Sequence, residues 1–238
     1  MNLYDQVIKE VLSLFNNTKL KSLPLETSFK DVVQKQFIFQ NDAKVELGEN
    51  NESVYFMGYT SNKEFVNKDE ILLLGDDINS LPKETPFAHL SFFLIENIEG
   101  DEQNTYRLLR DIEYSRYKVN IEGYMVRINT NLLKEGARIS FDASKKGISF
   151  KDVGMSFLNN YKKVNPNIKF VKQIFITEKD FPYADLVRLQ KEVESITITL
   201  DHILKKLKMD CRTCSFKEIC DTVEGMRELH KKELEERK

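Results

Sequence analysis

Cys211, Cys214 and Cys220 are the chain's three cysteines, and all fall within Asp210-Cys211-Arg212-Thr213-Cys214-Ser215-Phe216-Lys217-Glu218-Ile219-Cys220. Thiolate is the metal-binding form of cysteine, and two thiolates spaced C-x2-C reach one metal from a single turn of chain. The full spacing, C-x2-C-x5-C, brings a third ligand back to the same place. Three thiolates leave a tetrahedral zinc or a four-iron cubane one ligand short, and His230 is the nearest candidate to complete either. Geometry sets a condition on His230: in a continuous helix from Asp221, at about 1.5 Å rise per residue, it stands roughly 15 Å from Cys220, so ligation requires a turn near Gly225. The competing reading makes the three cysteines small apolar residues packing the end of a helix. A thioredoxin-type redox pair fits less well, because the first two cysteines follow a helical stretch and not a strand.

The remaining polar residues carry no recognisable catalytic pattern. Gly48, Gly75 and Gly100 are isolated turn glycines, and no serine or histidine sits in a hydrolase or phosphate-loop motif. His89 precedes an apolar run and reads as a satisfied core or edge residue; His202, beside Asp201 in a long helix, reads as part of its solvated face.

The elements that must position the cysteines are set by periodicity. Apolar residues every three or four positions predict helices over 3–15, 102–117 and 150–164. Residues 43–47 and 53–60 predict two strands joined as a hairpin across Gly48-Glu49-Asn50-Asn51; 71–74, 87–95, 119–129 and 170–177 predict further strands. From Asp180-Phe181-Pro182 to 208, Leu186, Leu189, Val193, Ile196, Leu200, Ile203 and Leu207 form a heptad stripe. That stripe is expected to lie on its own domain, with a homodimer seam through 186–207 as the other reading. Ile196-Thr197-Ile198-Thr199 predicts a weak point or kink there. The mixture of hairpins and helix–strand units favours an α+β fold: a mixed sheet with helices over 1–208, ending in the long helix, then a small cysteine-rich metal-binding helical segment over 209–238.

At 238 residues, 41% hydrophobic and 31% charged, the chain is expected to fold as a globular domain without a metal or disulfide staple. A net charge of −2 supplies no basic field for nucleic acid or anionic lipid. The N-terminus lacks a signal-peptide pattern, no apolar run approaches the ~20 residues of a membrane span, and an odd, clustered set of cysteines suits a reducing compartment. A cytoplasmic protein is expected.

Several segments, in order, are similar to the CO-methylating acetyl-CoA synthase subunit of the carbon monoxide dehydrogenase/acetyl-CoA synthase complex. Asp42-Ala43-Lys44-Val45-Glu46-Leu47-Gly48 resembles the family's D-x-Y-V-E-M/L-G-G. Gly75-Asp76-Asp77-Ile78-Asn79-Ser80-Leu81-Pro82 resembles G-P-D-I-D-x-I-P. Phe150-Lys151-Asp152-Val153-Gly154 resembles F-K-N-Y-G, and Ile174-Phe175-Ile176-Thr177 the strand before the family's helical connector. The resemblance covers nearly the whole chain, but only the middle domain of that longer enzyme and the opening of its metal-bearing domain. After the connector the family places C-x2-C-x8-C-x9-C, which holds the cubane of its nickel-iron-sulfur cluster. Cys211, Cys214 and Cys220 match its first three positions with a shorter middle gap, and His230 stands where the fourth cysteine falls.

The resemblance therefore implies a 4Fe-4S site held by Cys211, Cys214, Cys220 and His230, with Cys214 at the position that bridges to nickel in the family. The family's later C-G-C nickel motif has no counterpart in the sequence. Its tryptophan- and arginine-bearing stretch, associated with coenzyme A, is shortened around Arg116 to Arg127, in a chain without tryptophan. The chain is accordingly expected to be a truncated synthase-like iron–sulfur protein in an accessory or electron-transfer role, partnering a corrinoid or one-carbon enzyme or a redox protein. The alternatives are an interaction module holding structural zinc, and one subunit of a split synthase.

Overall fold

In residues 87–95, Phe-Ala-His-Leu-Ser-Phe-Phe-Leu-Ile, every position is buried. Such a strand must be covered on both faces, and the rest of the architecture supplies the cover. The computed structural model describes residues 2–34, 36–48, 52–96, 102–129 and 134–204. In chain order these form α1 (Asp5–Ser13), β1 (Lys21–Leu23), β2 (Ala43–Leu47), β3 (Ser53–Thr60), β4 (Glu70–Leu74), β5 (Glu84–Thr85), β6 (Phe87–Ile95), α2 (Glu102–Ser115), β7 (Tyr124–Asn129), β8 (Lys134–Ser140), α3 (Phe141–Lys145), α4 (Phe150–Val164), β9 (Ile168–Ile176) and α5 (Tyr183–Leu204). The fold is α+β, with mixed sheets and a long C-terminal helix.

The main sheet has the order β1-β4-β9-β6-β3; β9 runs antiparallel to β6 and parallel to β4, while β6 and β3 are parallel. Tyr55, His89 and Phe175 align across β3, β6 and β9, so they share a face. That face meets α4: His89 lies edge-on to Phe157, and Phe175 stacks on Phe150. On the other face the bare backbone of Gly58 lets Ile8 of α1 approach. A second sheet, β5-β2-β8-β7, sits beside the open edge of β3.

The stripe on α5 is spent inside the chain. Leu186, Leu189, Val193, Ile196, Leu200 and Ile203 are all buried, and α5 packs on β3, α1 and α2. Over these residues the stripe lies on the chain's own domain. α5 runs unbroken through the Ile-Thr-Ile-Thr run; the hydroxyls of Thr197 and Thr199 donate to the carbonyls of Val193 and Ser195, one turn back, at 3.0 and 2.7 Å. Leu207 lies outside the described residues.

The expected hairpin is a correction. β2 pairs with β5 and β8, and β3 with β6, so the turn at Gly48 (φ 70°) passes the chain from one sheet to the other. Strand periodicity reports that a segment is extended and which face is apolar, and is silent about its neighbour. The strand expected over 119–129 is shorter, beginning at Tyr124 after a turn at Gly123 (φ 73°). Among the described residues no helix is long and apolar enough to cross a membrane.

Candidate functional site

Cys211, Cys214, Cys220 and His230 all lie outside the described residues. Among the described residues no group of three or more His, Cys, Asp or Glu side chains gathers to hold a metal ion. What the structure does form is a cleft of about 330 Å³ where α2 and α5 flank the outer strand β3. Its wall is apolar, from Phe56, Met57, Leu109, Val193 and Ile198, with tyrosines 55, 59 and 117 beside them.

Arg116 and Glu135 form the polar end. Arg116 sits in a 3-10 turn that follows α2, and Asn160 of α4 holds this turn by donating to the carbonyl of Ser115. Arg116 is 8% exposed, and its guanidinium lies 3.6 Å from the centre of the Tyr55 ring and bonds the Tyr117 hydroxyl. Stacking suits a planar cation that is weakly hydrated. Glu135 reaches it from β8, Oε2 to Nη2 at 2.6 Å, without the alignment of a hydrogen bond; Arg116 Nε likewise makes none among the described residues. Burial lifts the Glu135 carboxyl to about 7, against the pull of Arg116 and with a small push from Glu113. Burial alone lowers Arg116, but Tyr55 and Glu135 raise it overall, so the guanidinium stays charged. Arg110 and Glu113, paired at 2.5 Å, and Glu194, bonded to Gln190, complete the polar lining.

Sequence reading did not find this site. Arg116 enters the sequence reading only within the helix expected over 102–117 and at the start of the shortened stretch from Arg116 to Arg127, and Glu135 lies in Lys-Glu-Gly-Ala-Arg-Ile-Ser, whose pattern marks no strand. The signal is tertiary: a helix end, an edge strand and a strand of the second sheet converge.

His89 is a core residue, as its setting in the sequence suggests. It is 2% exposed and stacks 4.3 Å from the Phe175 ring centre. Gln173 spends its amide N–H on the Gly154 carbonyl, so its oxygen faces His89, and Nε2 is the protonated ring nitrogen, 3.2 Å away. Burial pushes the imidazole down to about 3. His202 is half-buried near the C-terminal end of α5.

Three of the segments with family resemblance meet at one corner. Asp77 Oδ1 accepts from the backbone N–H of both Ile78 and Phe150, each at 2.8 Å. Gly75, at φ 97°, leaves no room for a Cβ against the Glu178 nitrogen and Thr177 hydroxyl. Thr177 in turn bonds the carbonyls of Leu74 and Asp76. In the fourth segment, Glu46 is buried on β2 facing Arg127 and Arg138 at 3.7 and 3.6 Å. These are positions that hold turns and packing, and none lines the cleft. No family model matches the chain, and no curated protein matches it.

Proposed function

We propose that the chain is an accessory iron–sulfur protein resembling the middle region of CO-methylating acetyl-CoA synthase, with its cluster on Cys211, Cys214, Cys220 and His230 and an electron-transfer role beside a corrinoid or one-carbon enzyme. The observation that carries the reading is the C-x2-C-x5-C run, which comes soon after α5. Thiolates so spaced select soft metal centres, four-iron clusters and zinc foremost. A histidine among the ligands would shift the cluster's potential from that of an all-cysteine site.

Anaerobic purification followed by visible absorbance and by iron, sulfide and zinc analysis tests this. A brown protein with iron and acid-labile sulfide in matching amounts is the expected result. A colourless protein with stoichiometric zinc overturns the iron–sulfur reading in favour of a structural metal. A protein free of both, after reconstitution with iron and sulfide, overturns metal binding altogether.

A further inference from the structure

The cleft on β3 combines an apolar wall with a stacked, buried cation, and nothing in the iron–sulfur reading uses it. Its volume of about 330 Å³ lies at the lower end of small-molecule sites. Arg116 is held on three sides, by the Tyr55 ring, the Tyr117 hydroxyl and Glu135, so its orientation is fixed before any ligand arrives. A buried N–H without an acceptor is costly, and the Nε of Arg116 is one. A ligand that suits the site must bring an acceptor oxygen to the guanidinium and an apolar body to the wall.

We infer that the cleft binds a small organic carboxylate, its carboxyl group on Arg116 and its apolar part along Tyr55, Met57, Val193 and Ile198. Amines are disfavoured when Glu135 is protonated, because Arg116 is then the charged group at the cleft's polar end. A carboxylate on Arg116 shares it with Glu135, so the two anions compete unless Glu135 carries a proton. The ionisable groups around Glu135 are Arg116 from the turn after α2, Glu113 from α2, Tyr55 from β3, Tyr117, Tyr124 from β7 and Tyr161 from α4. The tyrosines are all raised and stay neutral through the neutral range, and Arg116 stays charged. Glu135 is the group among them that burial brings to about 7. Carboxylate binding is therefore accompanied by proton uptake at Glu135.

Titration calorimetry on the full chain with hexanoate, phenylacetate and benzoate, against hexanamide and hexylamine, tests the inference. At least one carboxylate binds in the millimolar range or tighter, and its affinity falls about tenfold between roughly pH 6 and pH 8, as Glu135 loses its proton. Glu135→Gln removes that pH dependence and keeps the affinity at its acid-side level. Ile198→Trp, at a half-exposed position on the cleft wall, blocks binding without touching the ion pair. Arg116→Met abolishes binding, and the other two variants decide the matter if this one fails to fold. Three results would overturn the inference: no carboxylate binds, hexylamine binds as well as hexanoate, or Glu135→Gln retains the wild-type pH slope. Metal content does not enter any of these readouts.

Discussion

Acid should destabilise this fold through His89, and the size of the effect is fixed by its surroundings. The imidazole is buried between Phe175 and Phe157, with its one ring N–H directed at Gln173 and Ser91. Burial depresses its proton affinity from an ordinary 6.5 to about 3. Above 6.5 both folded and unfolded chains hold it neutral, and it contributes nothing to pH dependence. Below 6.5 the unfolded chain binds a proton that the folded chain refuses, so stability falls by about 1.4 kcal/mol per pH unit. By about pH 4.5 the loss is about 2.7 kcal/mol, a large share of the 5–15 kcal/mol typical of a whole domain.

Glu135 works in the opposite sense. Its carboxyl, lifted to about 7 in the fold, binds a proton more readily than in the unfolded chain, and so adds stability as pH falls from about 7 toward its ordinary 4.5. The two slopes nearly cancel in the wild-type protein, whose stability changes little through this window on their account. Removing one exposes the other. Urea unfolding followed by circular dichroism, at steps from pH 6.5 to about 4.5, is expected to show His89→Gln gaining on wild type by about 1.4 kcal/mol per unit as pH falls. The lost ring stacking adds a constant offset that does not vary with pH. Glu135→Gln is expected to lose stability with acid more steeply than wild type. Parallel pH profiles for wild type and His89→Gln would refute the reasoning.

Gly75→Ala, which places a Cβ at φ 97° within 2.6 Å of a backbone nitrogen, should cost about 2 kcal/mol or more in chemical denaturation. Cys214→Ala should lose the metal while far-UV circular dichroism stays nearly unchanged, because a ligand is removed and no core layer is; unchanged metal content refutes its role. Thermal melts with and without chelator should share the main transition, since the described core buries a large apolar cluster and a domain of this size folds without a metal staple. His230→Ala should alter the electron paramagnetic resonance of the reduced cluster, as loss of a ligand requires; an identical spectrum removes His230 from the ligand set.

The parts of the fold legible in the sequence are those encoded locally. Val7 and Val11 on α1, Phe150, Val153 and Phe157 on α4, and Leu186 to Ile203 on α5 recur at helical spacing, and the same residues are buried. Phe87 to Ile95 announces a doubly covered strand by apolar residues on both of its faces, with His89 and Ser91 as the exceptions. What could not be read is pairing over distance. β8 escaped because Glu135 and Arg138, on opposite faces of the strand, are largely covered by ion-pair partners on other elements and not through their own hydrophobicity. β2 and β3 looked like a hairpin because proximity in sequence is the only pairing cue a turn offers. The cleft failed to show for the same reason: Tyr55, Arg116, Glu135 and Val193 acquire meaning only when four segments meet. The cysteine motif, by contrast, is legible as chemistry, and its residues lie outside those the structure describes.

Apart from the cysteine run, the segments that suggest a relationship lie away from the cleft, and the difference has a physical basis. Gly75 must adopt a left-handed backbone, Asp77 must cap two backbone N–H groups, and Gly154 must admit Ile71 at its bare Cα. Each requirement belongs to the scaffold, so a protein that lost or exchanged its chemistry would still need those residues to fold. Resemblance at those residues therefore bears on architecture first. Activity has to be sought where the scaffold demands nothing: a stacked arginine facing a glutamate in a cleft, and three thiolates beyond the helix that forms one wall of that cleft. Gln190, Val193, Glu194, Thr197 and Ile198 on α5 line the cleft, and the same helix leads toward Cys211. If both proposals hold, the cleft and the cysteine run have α5 as a common neighbour, the one lined by it and the other following it in the sequence.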